Sequence, residues 1–123
     1  MAEHLESGRA AERLARRRLE HHGLRWIASN YRCRLGELDL VMSDAMTLVV
    51  VEVRYRSSTR LMQPHESLTP PKLRRVALAT RHFVQQHPRW RDAPIRFDVV
   101  SIHGSLGDAG MKWIRGAFTI DDL

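Results

Sequence analysis

An α/β chain is what these residues predict: a central mixed β-sheet flanked by helices, with elements in the order α-β-β-β-α-β. Three observations carry that reading. Apolar residues recur at helical spacing in two segments, four segments alternate or run β-branched as strands do, and the second helical segment lies between the third and fourth strands. A helix between two strands allows them to pair in parallel, whereas the short connections earlier in the chain demand antiparallel pairing, so the sheet is mixed. At 123 residues, 43% hydrophobic and 28% charged, the chain suits a single folded domain rather than two, and it is not a disordered one. That domain is expected over residues 8–118, after a frayed start (1–7) and before a short tail (119–123).

From Gly8 to His22, Ala11, Leu14, Ala15 and Leu19 form an apolar stripe, and Gly23 is placed to stop the helix. Arg13, Arg16, Arg17 and Arg18 cover its other side, either as a solvated face or as phosphate contacts. Leu24 to Cys33 reads as a weaker strand, with Asn30 as a bulge or bend. Arg32-Cys33-Arg34-Leu35-Gly36 then turns into a hairpin.

That hairpin, Gly36 to Arg56, holds the main chemical signal. In the first arm Glu37, Asp39 and Val41 share one face, and Leu38, Leu40 and Met42 the other. The second, Met46 to Arg54, is a long β-branched run closed by Glu52 and Arg54, which share a face. A turn centred on Asp44-Ala45 sets Glu52 opposite Glu37 and diagonal to Asp39, within about 7–8 Å. Three carboxylates then converge. Like charges across a sheet are destabilising, and a desolvated carboxylate demands a cation. Arg54 and a divalent metal are the candidates, Mg²⁺ being suited to one or two carboxylates with water and a phosphate. The plainer alternative is a solvated face with Arg54 and Arg56 in surface ion pairs of little energetic weight.

Tyr55 to Leu68, with His65 and Glu66, lacks periodicity and reads as a loop. Thr69-Pro70-Pro71-Lys72 is a helix start, threonine as N-cap and proline first. Leu73, Val76, Ala77, Thr80, Phe83 and Val84 continue the helix to His87-Pro88. Lys72, Arg74, Arg75 and Arg81 decorate it, Lys72 in the first turn beside backbone N–H groups that favour anions. Ile95 to Ile102 is a strong strand. After a glycine-bearing loop from Gly104 to Gly110, Met111 to Ile114 adds a short edge strand, and Ala117 and Phe118 pack back on the core.

Net charge is +6, and the basic residues are almost all arginine, with Lys72 and Lys112 the only lysines. Arginine's planar fork suits phosphate, so nucleic acid is the expected partner, unless the arginine merely reflects genome composition. Cys33, the only cysteine, excludes an intrachain disulfide and a cysteine-rich zinc site. No run approaches the roughly 18 apolar residues of a membrane span, and no signal-peptide core is present, which points to the cytoplasm.

Gly8 with Glu12, Asn30-Tyr31-Arg32, Gly36-Glu37-Leu38-Asp39-Leu40, Val51-Glu52-Val53-Arg54-Tyr55-Arg56, Thr69-Pro70-Pro71-Lys72 and Arg96-Phe97-Asp98-Val99-Val100 together resemble the YraN-type family of uncharacterised bacterial proteins. That family looks related to Holliday-junction resolvases and other nucleases of restriction-endonuclease-like fold. The resemblance implies a Mg²⁺- or Mn²⁺-dependent, structure-selective DNA endonuclease working as a two-fold homodimer. Asp39 would be its first acid, Glu52 its second and Glu12 the helix acid. Asp39, Glu52 and Glu37 would hold metal, while Arg32, Arg34, Arg56, Lys72 and Arg75 would bind nucleic acid. Arg54 stands where relatives carry lysine. Always protonated, it cannot be a general base, but it can stabilise charge on a phosphate. Lys72 could then act as a displaced lysine. The same departure supports a second reading, a non-catalytic nucleic-acid-binding module with a degenerate nuclease site.

Overall fold

The computed structural model describes residues 2–56, 68–104 and 110–119, with side chains from Gly8 onward. Most of the expected 55–68 loop, with His65 and Glu66, and of the 104–110 loop lies outside the described residues, as does the tail from 120. Helix α1 (Ala2–His21) starts ahead of the predicted Gly8 and ends where Gly23 takes a positive φ of 93°. Strands β1 (Arg25–Cys33), β2 (Gly36–Asp44) and β3 (Thr47–Arg56) follow as a meander. Helix α2 (Pro70–Gln86) leads through a 3-10 turn at Pro88–Trp90 into β4 (Ile95–His103) and β5 (Gly110–Phe118). Among the described residues this is one five-stranded sheet in the order β1-β2-β3-β4-β5. The β3–β4 pair is parallel and the others antiparallel, as the crossover through α2 requires.

The two helices cover opposite faces of the sheet. Val76, Ala79 and Phe83 of α2 bury against Leu48, Val50, Phe97 and Val99. On the other face Ala11, Ala15 and Leu19 of α1 meet Val49, Val51, Val100 and Ile102. This alternation along β3 and β4 explains why β3 reads as a nearly continuous apolar run: a strand buried on both faces has no polar side.

Strand β2 breaks the alternation expected of it. Leu38 buries on the α2 face, as Val41 does, whereas Leu40 joins Met42 on the α1 face. Asp39 therefore lies at a kink, and not on a uniform polar face with Glu37 and Val41. Its neighbour strand kinks too, since Asn30 has a φ of 54° between the pairs Ser29↔Leu40 and Tyr31↔Leu38. The predicted bend at Asn30 is there, while the register slip in β1 falls earlier, between Trp26 and Ala28.

The hairpin register also differs from expectation. Its turn is Ala45-Met46, with Asp44 paired to Thr47 and Leu40 to Val51. Ala45 carries the left-handed φ of 54°, while Asp44 stays in the strand and accepts a hydrogen bond from Arg96 Nη1 at 3.1 Å. One further step of that register sets Asp39, not Glu37, against Glu52. The ladder stops there.

Strand β5 is longer than the predicted Met111–Ile114 segment. Buried Asp98 accepts Trp113 Nε1–H at 3.0 Å and the Gly116 N–H at 2.9 Å, and the Phe97 and Phe118 rings stack 4.7 Å apart. Phe118 packs on the core as expected, while Ala117 is exposed.

Candidate functional site

Where β2 and β3 part, the Asp39 carboxylate takes the place of a strand neighbour. Its Oδ2 accepts the Val53 N–H at 2.9 Å, and the Asp39 N–H and carboxyl in turn hydrogen-bond Glu52. Glu52 is 3% exposed and lies beside Val99 of the parallel strand, yet among the described residues its Oε2 has no hydrogen-bond partner. Burial, then the charge of Asp39, pushes the Glu52 carboxyl up to about 8, against the pull of Lys72. Burial raises Asp39 as well, opposed by the Val53 N–H and by Lys72. A buried acid pair in this state favours a proton or a cation.

The cation is positioned by α2. Thr69 Oγ1 accepts the Lys72 N–H at 3.4 Å, and the prolines at the helix start need no N–H partners. Gly36 lets this helix close on the sheet: a Cβ there would stand 2.7 Å from Arg75 O. Gly36, Glu37, Asp39, Glu52, Lys72, Arg75 and Val76 thus line one cavity of about 210 Å³.

Of the predicted site residues, Asp39, Glu52, Glu37, Lys72 and Arg75 come together here. Glu37 also pairs with Arg32 at 3.1 Å, both being well exposed. Glu12 lines a different cavity with Asn30, although Asp39's charge reaches it. Burial and that charge raise its carboxyl, against the Asn30 side-chain hydrogen bond. Arg34 is exposed in the β1–β2 turn, and Arg54 and Arg56 are half-buried at the end of β3, all three outside the cavity lining. Arg56 Nη1 donates to Tyr55 O at 3.0 Å. Sequence reasoning left Asn30 without a link to Glu12 and Gly36 without a packing role. The only signals for them were a turn-prone residue inside a strand and a glycine at a strand start.

Among the described residues no three acidic, histidine or cysteine side chains form a ready-made metal cage. Two carboxylates still suffice for a hard cation that keeps its waters, and the unpartnered buried Glu52 Oε2 fits one.

Fold and cavity together define a small basic α/β protein whose sheet brings a buried glutamate and a half-buried aspartate into one cavity with a helix-borne lysine. Residues 11–102 match the model of uncharacterised protein family UPF0102. The chain is 48% identical over 113 residues to a UPF0102 protein of Pseudomonas fluorescens, covering 91% of this chain and 92% of the relative. With a Nitrosococcus oceani UPF0102 protein the identity is 42% over 120 residues, 98% and 97% of the two chains. With one from Xylella fastidiosa it is 47% over 117 residues, 95% of each. This chain belongs to the UPF0102 family, that of the YraN-type proteins.

Proposed function

We propose that this protein acts on nucleic acid, DNA in the first instance, as a metal-dependent phosphodiester endonuclease centred on Asp39 and Glu52. The observation that carries the proposal is the Glu52 carboxylate, buried, pushed up in pKa and holding one oxygen without a partner beside Asp39. Such a group is costly without a ligand. Asp39 and Glu52 would hold Mg²⁺ or Mn²⁺, which when bound supplies a Lewis acid and an acidified water.

The chain's own residues then divide the remaining work. Lys72, on the cavity wall, sets a positive charge where a phosphate would enter and can orient a water, while Arg54, which cannot be a general base, can stabilise charge on the phosphate. Arg75, on the same helix one turn on, holds the neighbouring phosphate. Arg32, Arg34, Arg54 and Arg56 add fixed positive charge along the substrate path, and Glu12 acts on Asp39 through its charge. The resemblance to resolvases adds a branched DNA substrate and a homodimer, and the cytoplasm is the setting expected from the sequence. Among the described residues no helix is long and apolar enough to cross a membrane.

The test is cleavage of end-labelled four-way junction, flap, single-stranded and linear duplex DNA with Mg²⁺ or Mn²⁺. Wild type should give metal-dependent products, Glu52→Gln none while still binding, and Lys72→Gln a loss of about 10²-fold or more, the scale of removing one charge-stabilising donor. Cleavage by Glu52→Gln at the wild-type rate would overturn the assignment. Arg54 at the lysine position favours the second reading, a binding module without catalysis. That reading requires intact substrates at every metal concentration and salt-sensitive binding.

A further inference from the structure

On the opposite face of the sheet from Lys72 and Arg75, α1 presents Arg9, Arg13 and Arg16 at successive turns around a cavity of about 140 Å³. Glu12, Ser29 and Asn30 complete its wall. Beside it stands Trp26, 41% exposed although it belongs to a strand. Its Nε1–H donates to Ser29 Oγ at 2.9 Å, and the Arg16 guanidinium lies 4.2 Å from its ring centroid. The indole is therefore held in orientation, with much of it left in water. Arg16 also meets Glu20 at 3.4 Å, while Arg9 and Arg13 are exposed.

We infer that this α1–β1 cleft is a second nucleic-acid site, which takes a single-stranded segment by its phosphodiesters and by one stacked base. Arg9 and Arg13, exposed at a small cavity, match a phosphate, and an oriented indole with Arg16 over one face offers its other face to a base. Basic groove plus stacking platform is the combination by which single strands are held without sequence preference. A cavity of this size admits one backbone unit and not a duplex. Asn30, which hydrogen-bonds Glu12, lies at the kink across from Asp39, so the cleft adjoins the carboxylate pair through the sheet's edge strand. What the strand is held for rests on the endonuclease reading; its binding does not.

The experiment is anisotropy titration of fluorescein-labelled oligothymidylate against salt, in a Glu52→Gln background so that no cleavage intervenes. Arg9→Gln with Arg13→Gln should flatten the log K against log salt slope by about 1.4, from about 0.7 per lost single-strand phosphate contact. Trp26→Ala should weaken binding by about 5- to 100-fold, with Trp26→Phe restoring most of it. An unchanged slope, or equal affinity for Trp26→Ala and its parent, overturns the site. So does a loss confined to phosphatidylglycerol vesicles, which would make the cleft a lipid-headgroup site. Binding losses in these variants beside a wild type that cleaves none of the substrates at any metal concentration would remove the endonuclease reading and leave this one; wild-type cleavage with unaltered binding in the variants would do the reverse.

Discussion

Glu52 is the residue on which the chemistry turns, and its ionisation should be visible in stability. A carboxyl raised in the folded state from 4.5 to about 8 binds its proton more tightly folded than unfolded. Its stabilising contribution is complete below about pH 4.5 and is lost as pH rises toward about 8. Melting temperature without divalent metal should therefore fall across that window. Glu52→Gln should remove most of the fall, and Mg²⁺ or Mn²⁺ should raise the melting temperature of wild type at the alkaline end but not that of the variant. Thermal scans against pH and metal check both statements. Asp39 and Glu52 could be picked out in the sequence because each is a charge inside an otherwise apolar strand, a conflict that calls for a ligand. Lys72 could be seen as a helix-start lysine able to bind phosphate or replace the missing motif lysine, but not as a wall of the same cavity as the two acids.

At the scale of elements, the site depends on how closely the first turns of α2 approach β2. Gly36 permits that approach. Gly36→Ala would drive a Cβ to 2.7 Å from a backbone oxygen, which cannot swing aside as a side-chain tip can. We expect a loss of about 1–3 kcal/mol by urea unfolding, together with weaker metal-induced stabilisation as Lys72 moves off the pair. Thr69→Ala should cost about 0.5–2 kcal/mol by the same measurement, because it frees the N–H of Lys72 at the helix start. The starts of β2 and α2 were legible from Gly36 and from Thr69-Pro70-Pro71. The hairpin register was not, because Ser43 and Asp44 carry turn chemistry yet lie in the strand, where Asp44 pairs with Thr47 and accepts from Arg96.

Across the whole molecule the sheet is tied by one buried anion far from the acid pair in sequence. Asp98 is 0% exposed and receives the Arg96 guanidinium at 2.9 and 3.1 Å, the Trp113 indole at 3.0 Å and the Gly116 N–H at 2.9 Å. Arg96 also reaches Asp44, so β2, β4 and β5 meet in one network. Asp98→Ala should destabilise by about 3–5 kcal/mol by urea unfolding, since it strands a partly buried arginine and two donors. Glu52→Gln also removes a carboxylate from an apolar strand, yet at alkaline pH without metal it should raise stability, where Asp98→Ala lowers it. The difference is pairing.

From its residues alone the chain determined two helices, the mixed sheet and its element order, and two acids in apolar strands, because side-chain period and turn chemistry are local properties. Tertiary structure decided which cation faces those acids, that Asp39 rather than Glu37 stands against Glu52, that Glu12 lines a separate cleft, and that β5 runs on to Phe118. These depend on register, on a kink shared by β1 and β2, and on the close approach at Gly36. All three are set by contacts between segments distant in sequence, where a shift of a single residue moves a side chain to the other face.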